Sequence, residues 1–189
     1  PGYPNPAFSR MSERDGAWMA RIIAQFSDAH LRELVSVARF EDPALDAELF
    51  RLLAGRRERV LERYLTRLSP LAQPSLRYAG ATELCVRDLV VRSGLRRGHD
   101  RSYAVTAHAA GAAQRLEPVR AWAGDRRCVA LPRVSGASPS IPASVIVDWV
   151  SQSEGFAPEH PARLHLFDLG ARGVMLVGRE RPDSFDPPP

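Results

Sequence analysis

Apolar and polar positions follow two different periods along this chain, and the change falls near residue 70. Trp18, Ile22 and Phe26 recur every four residues with Met19 and Ile23 beside them, the stripe of one helix face. The Ser12 hydroxyl can cap the free N–H groups at the start of that helix, and Asp15 three residues on completes the start signal. Ser27-Asp28 restarts a helix expected to bury Leu31, Leu34, Val35 and Ala38. Asp42-Pro43 begins a third, with Asp as the cap and Pro at the first helical position, where its missing N–H costs nothing. That helix is expected to run to about Leu68 on Leu45, Leu49, Leu52, Leu53, Val60, Leu61, Tyr64 and Leu68, and Ser69-Pro70 stops it. Residues 12–70 therefore read as a three-helix module in which Trp18, Ile22, Phe26, Leu34, Leu49 and Leu53 share one core. Residues 1–11 are a Pro-rich, extended lead-in.

Beyond Pro74 the helical period fades. Short runs rich in β-branched and aromatic residues stand between Gly, Pro and Asp punctuation. Strands are expected near Glu83–Arg87, Ser102–His108, Arg115–Ala121, Cys128–Leu131, Ala143–Ser151, Arg163–Asp168 and Val174–Arg179. Val145, Val147 and Trp149 alternate on one face of theirs. Leu169-Gly170-Ala171-Arg172-Gly173 joins the last two as a hairpin loop. Asp88–Gly94 fits a short helix or a strand equally well. The expectation is an α+β chain, with the three-helix module followed over residues 75–181 by an antiparallel β-sandwich-like module. A polar, Pro-rich tail over residues 182–189 reads as disordered.

Composition removes function classes. The chain has 189 residues, 44% hydrophobic and 25% charged, an ordinary balance for a folded chain. No apolar run is long enough to span a bilayer. The start at Pro1, with no initiator Met or signal pattern, suggests a fragment or a processed chain and leaves the compartment open. All 26 basic residues are Arg. Without lysine there is no P-loop, Schiff-base, S-x-x-K or kinase strand lysine. The net charge of +4 invites a nucleic-acid reading, but 11 Arg face 10 acids in residues 1–70, and 15 face 12 in the remainder. Such interleaving argues against a phosphate-tracking stripe. Cys85 and Cys128 could form one bridge or remain two thiols.

Four groups of residues invite chemistry. Arg56, beside Arg57, falls on the apolar stripe of the third helix between Leu52 and Val60. It is read either as an anion contact or as an inward Arg paired with an acid such as Asp15 or Glu48, and pairing is favoured because a buried Arg needs a partner. His160, His165 and Asp168 lie close in sequence but lack metal-ligand spacing. Gly136–Ser140 resembles a nucleophile elbow without its closing glycine, and Pro139 removes an oxyanion-hole N–H. A pocket joining His99 or His108 to a buried carboxylate would favour an enzyme. The residues indicate no catalytic, cofactor or metal site.

Tyr3–Phe8 (YPNPAF), Asp15–Ile23 (DGAWMARII), Phe26-Ser27-Asp28 and Arg56-Arg57-Glu58-Arg59-Val60 with Arg63-Tyr64 carry a resemblance. Together they are similar to the carboxy-terminal part of a group of large uncharacterised bacterial proteins whose upstream region, absent here, looks kinase-like. Val177–Pro182 matches how such proteins close. The similarity covers Tyr3–Leu71 and is thin across Tyr78–Ser153. It departs at Gly16, where the group more often has an apolar residue. The resemblance implies a non-catalytic accessory or interaction module whose partner is the upstream domain or another protein, and it offers no active site to transfer. Two alternatives stand beside it. One is an Arg-rich helical nucleic-acid-binding module. The other is a carbohydrate- or peptide-binding β-sandwich with an aromatic cleft around Trp122 or Trp149.

Overall fold

Each long helix starts where a short polar side chain can satisfy free backbone N–H groups. The computed structural model describes residues 5–117, 120–122 and 124–188. A single turn, α1 (Pro6–Ser9), precedes α2 (Glu13–Ile23). Asp15 N–H donates to Ser12 Oγ at 3.2 Å, and Ser12 N–H donates back to Asp15 Oδ2 at 2.9 Å, a closed capping box. Ser27 opens α3 (Asp28–Ser36) in the same way, with His30 Nδ1 in the place usually held by Glu. Asp42 caps α4 (Pro43–Tyr64) through Ala44 N–H at 2.8 Å. This helix ends at Tyr64, one turn before the expected Leu68.

The helical core differs from the expected one. Ala17, Ala20, Ala24, Leu31, Val35, Leu61 and Leu65 are buried. Trp18, at 57% exposure, and Leu34, at 55%, face outward with Phe26, while Ile22, Leu49 and Leu53 are only half-buried. The physical reason is that α2 has two apolar faces. The large one is Trp18, Ile22 and Phe26, and the small one is Gly16, Ala17, Ala20 and Ala24. Close packing against α4 selects the small face, because a Cβ on Gly16 would stand 2.3 Å from Tyr64 Cδ1. Gly16 is thus required by the aromatic ring it faces.

Among the described residues nine strands follow: β1 (Leu71–Tyr78), β2 (Thr82–Asp88), β3 (Arg101–Ala109), β4 (Ala112–Arg115), β5 (Arg120–Trp122), β6 (Arg126–Ala130), β7 (Ala143–Ser153), β8 (Ala162–Asp168) and β9 (Val174–Glu180). They form two antiparallel sheets, ordered β1-β2-β6-β5 and β4-β3-β7-β8-β9. The expected strand at Arg115–Ala121 is instead the end of β4 and the start of β5, and residues 118–119 lie outside the described residues. β1 was not expected, because Pro74 reads as a boundary. Its ladder shifts between Ala72 and Ser75, so Pro74 sits in a bulge of an edge strand, where no ladder hydrogen bond is lost.

The inner faces of both sheets make one core. Leu84, Val86 and Val129 come from the first sheet, and Val105, Val145, Val147, Trp149, Leu164 and Leu166 from the second. Trp149 is fully buried, so it lines no aromatic cleft, and the side chain of Trp122 lies outside the described part of the chain. Cys85 and Cys128 face each other across β2 and β6 and are joined by a disulfide. The ambiguous stretch after β2 is a helical turn, α5 (Leu89–Arg92), capped by Asp88 Oδ1, which accepts from Val90 N–H at 2.9 Å. Leu89 and Val90 meet Ala20, Ala24, Leu61 and Leu65 in a second core, which fastens the helices to the sandwich. The tail is not a free end. Arg163 Nη2 donates to Asp186 O at 2.6 Å, and Phe185 stacks on His160 with ring centres 5.1 Å apart.

Candidate functional site

The structure separates the three residues that the sequence groups as an ion-pair or anion site. Asp15 belongs to the α2 cap, and Glu48 pairs with Arg51 at 2.6 Å. Arg56 is exposed. Arg57 is the inward arginine, with its side chain only 15% exposed. Its Nη2 donates to Asp28 Oδ1 at 2.6 Å and its Nη1 to Phe26 O at 2.9 Å. The buried stripe of α4 runs through Leu53, Arg57 and Leu61, one position on from the Leu52, Arg56, Val60 row. The long helix carries leucine on both rows, so periodicity could not choose between them. Arg57 clamps the corner between α2 and α3.

That clamp forms one wall of a hollow among the helices. A cavity of 840 Å³ lies between α4, the α2–α3 corner and α5, lined by Ala24, Phe26, Phe50, Arg57, Leu61 and Leu95. Around Phe26 and His30 it continues into an apolar groove of 670 Å³, lined also by Ile22, Leu34 and Arg92. Phe26 and His30 meet edge to face, and the Arg32 guanidinium lies over the Phe50 ring, 4.2 Å from its centre. Trp18, Met19, Val37, Phe40, Leu45 and Leu52 extend the exposed apolar surface of the helices. The sequence signal for this face is the Trp18–Ile22–Phe26 stripe, whose periodicity alone reads as interior.

The polar clusters elsewhere are internally closed. Arg101 is fully buried at one end of the sandwich. Its Nε donates to Asp88 Oδ2 at 2.9 Å, and its two Nη groups grip Glu159 at 2.6 and 2.8 Å. Ser153 accepts from the same guanidinium, Ser151 donates to Glu159, and the Tyr103 hydroxyl donates to Asp88 at 2.7 Å. Burial disfavours the Arg101 charge, but its two carboxylates hold it protonated, above the usual arginine range. Burial, with Asp88 beside it, pushes the Tyr103 phenol well above its ordinary value. Such groups fix β2, β3, β7 and the Glu159 loop to one another.

The histidine candidates are dispersed. His160 stacks on Phe185, and His165 lies 3.4 Å from Glu180 on the outer face of the second sheet. Asp168 instead accepts from Arg133, Val134 N–H and Gly170 N–H, and so organises the loop after β8. His99 is exposed beside Asp100 at 3.0 Å. His108 stands 3.6 Å from Asp148, whose carboxylate Arg163 already holds at 2.7 and 2.9 Å. Ser138 Oγ accepts from Ile141 N–H at 3.1 Å and closes its own turn, without the geometry of a nucleophile elbow. Among the described residues the cluster with metal-ligand proximity is Glu83, Cys85 and Cys128, and its two sulfurs are bonded to each other. Among the described helices none is long and apolar enough to cross a membrane. Comparison of the chain with protein-family models, with curated proteins and with solved structures gave no match.

Proposed function

We propose that this chain is a non-catalytic interaction module of a larger bacterial protein, and that its helical face receives an apolar surface of a neighbouring domain. The observation that carries the reading is where the large apolar side chains lie exposed. Met11, Trp18, Met19, Phe26, Leu34, Val37, Phe40, Leu45 and Leu52 lie exposed within the short helical half, whereas Tyr78, Ile141, Phe156, Met175, Val177 and Phe185 are spread over the longer remainder. Scattered exposed apolar residues are ordinary, but an apolar groove such as the one lined by Ile22, Phe26 and Leu34 marks an interaction surface. Surface area supports the same reading. A folded monomer of 20.9 kDa is expected to expose about 9,000 Å², and this chain exposes 11595 Å². The excess, about 2,600 Å², is about three times what a standard interface removes from one partner, so it is comparable only with the larger, obligate interfaces. The closed polar clusters of the sandwich suit a supporting role, because their acids and bases are engaged with one another.

The test changes the face without touching the core. In the triple variant Trp18→Gln, Phe26→Gln, Leu34→Gln, the three positions are solvent-facing, so the fold is expected to persist. The isolated wild-type chain should bind an apolar fluorescent dye, and the variant should lose that signal at an unchanged urea midpoint. Equal dye binding by both, or none by either, would remove the basis of the reading. Self-association of the wild type that the variant abolishes would make the partner a second copy.

A further inference from the structure

A second site lies where α2 runs beside the end of β9 and the start of β1. The Arg14–Asp183 pair, at 3.1 Å, holds the first turn of α2 to the segment after β9. Arg21, two turns further along the same face, points into the seam, and its Nη1 is buried without a hydrogen-bond partner. Arg181 enters from the other side. Its Nε donates to Ser69 O at 3.1 Å and its Nη2 to Leu71 O at 2.5 Å, which fixes the guanidinium against β1. Arg179 sits opposite Leu164 in the β8–β9 ladder, two residues before Arg181 and on the same side of the chain. Among the described residues no carboxylate pairs with Arg21, Arg179 or Arg181, in contrast to the buried Arg101 and Arg163, whose charges carboxylates hold.

We propose that Arg21, Arg179 and Arg181 bind a tetrahedral oxyanion, as inorganic phosphate or as the phosphate group of a small phosphomonoester. Three guanidiniums with no acid between them repel one another. Burial first, then Arg21 and Arg179, bring Arg181 down to about 10, and burial with Arg179 lowers Arg21 as well. An anion at the seam reverses the sign of that interaction and supplies the acceptor that Arg21 Nη1 lacks. A tetrahedral oxyanion fits because it offers oxygens in several directions to donors arriving from α2 and β9 together. Arg181 is already anchored through two of its nitrogens and acts as the fixed wall. This site shares no residue with the apolar groove, so either can fail without the other.

The experiment titrates the intact chain with inorganic phosphate at low ionic strength by calorimetry, with glycerol 3-phosphate in a second arm. Saturable binding at one site is expected, and at about tenfold excess over Kd the melting temperature should rise by about 4 °C. Arg179→Gln is the informative variant, because Arg179 is exposed and holds no backbone group. Without added anion it should melt no lower than wild type, since one repulsive partner is gone, and with phosphate it should show no rise. Arg21→Gln should likewise lose the rise. Tighter binding of the ester than of the free ion would identify the ester as the ligand, and the reverse would identify the ion. Absence of saturable binding, an equal rise in the variants, or an equal rise from chloride at matched ionic strength would overturn the proposal. So would an Arg179→Gln variant that melts well below wild type before any anion is added.

Discussion

At the residue scale, Gly16 and Arg57 explain most of how the helices sit. Gly16→Ala would ordinarily favour a helix by about 1 kcal/mol. Here the added methyl meets the Tyr64 ring, so the net expectation is a loss of about 1–3 kcal/mol, read as a lower urea midpoint. Combining it with Tyr64→Leu should recover part of that loss, because the clash is with the ring. Arg57→Leu removes the donors to Phe26 O and Asp28, and should cost about 1–2 kcal/mol. Arg56→Leu, on the exposed row, should stay within about 0.5 kcal/mol. The reverse order would return the inward role to Arg56. Arg101 carries a larger consequence. Arg101→Met strands Asp88 and Glu159 in the interior and should destabilise by about 3–5 kcal/mol in the same measurement.

Among the secondary-structure elements, starts were easier to read than faces. Ser12, Ser27 and Asp42 announce their helices because capping is a local interaction, written within three residues. Which face of α2 turns inward is decided by Tyr64, nearly fifty residues away, and no local pattern reports that. The same limit hid β1, since Pro74 breaks a strand unless an edge bulge accommodates it. The Gly170–Gly173 loop was legible as a turn, but the role of Asp168 in it was not, because Arg133 comes from a different part of the chain. The arginine seam was invisible for the same reason: Arg21 is more than 150 residues from Arg179 and Arg181 in the sequence. The loop after β8 also makes stability depend on pH. Burial alone would raise the Asp168 carboxyl, but the Val134 N–H, Arg133 and the Gly170 N–H outweigh it and hold it below its ordinary 3.8. A carboxyl lowered in the folded state contributes stability above its unfolded value, and that contribution is lost as pH falls through the folded one. The urea midpoint should therefore drop below about pH 4, and the gap between wild type and Asp168→Asn should narrow there. A gap independent of pH would show that Asp168 acts only through its shape.

The whole molecule divides its work between two cores. One fills the sandwich, and the other ties α2 and α4 to α5, leaving the opposite side of the helices apolar and open to solvent. A protein that ended its interactions there would expose Trp18, Phe26 and Leu34 at a standing cost in solubility. We propose that a neighbouring domain covers this face. Hydrogen exchange over residues 13–40 tests it most directly, measured on this chain alone and again with the upstream polypeptide of the proposed parent protein added in trans. Slower exchange in α2 and α3 on addition, lost in the Trp18→Gln, Phe26→Gln, Leu34→Gln variant, is the predicted result. Unchanged exchange with the upstream polypeptide present in excess would contradict the account.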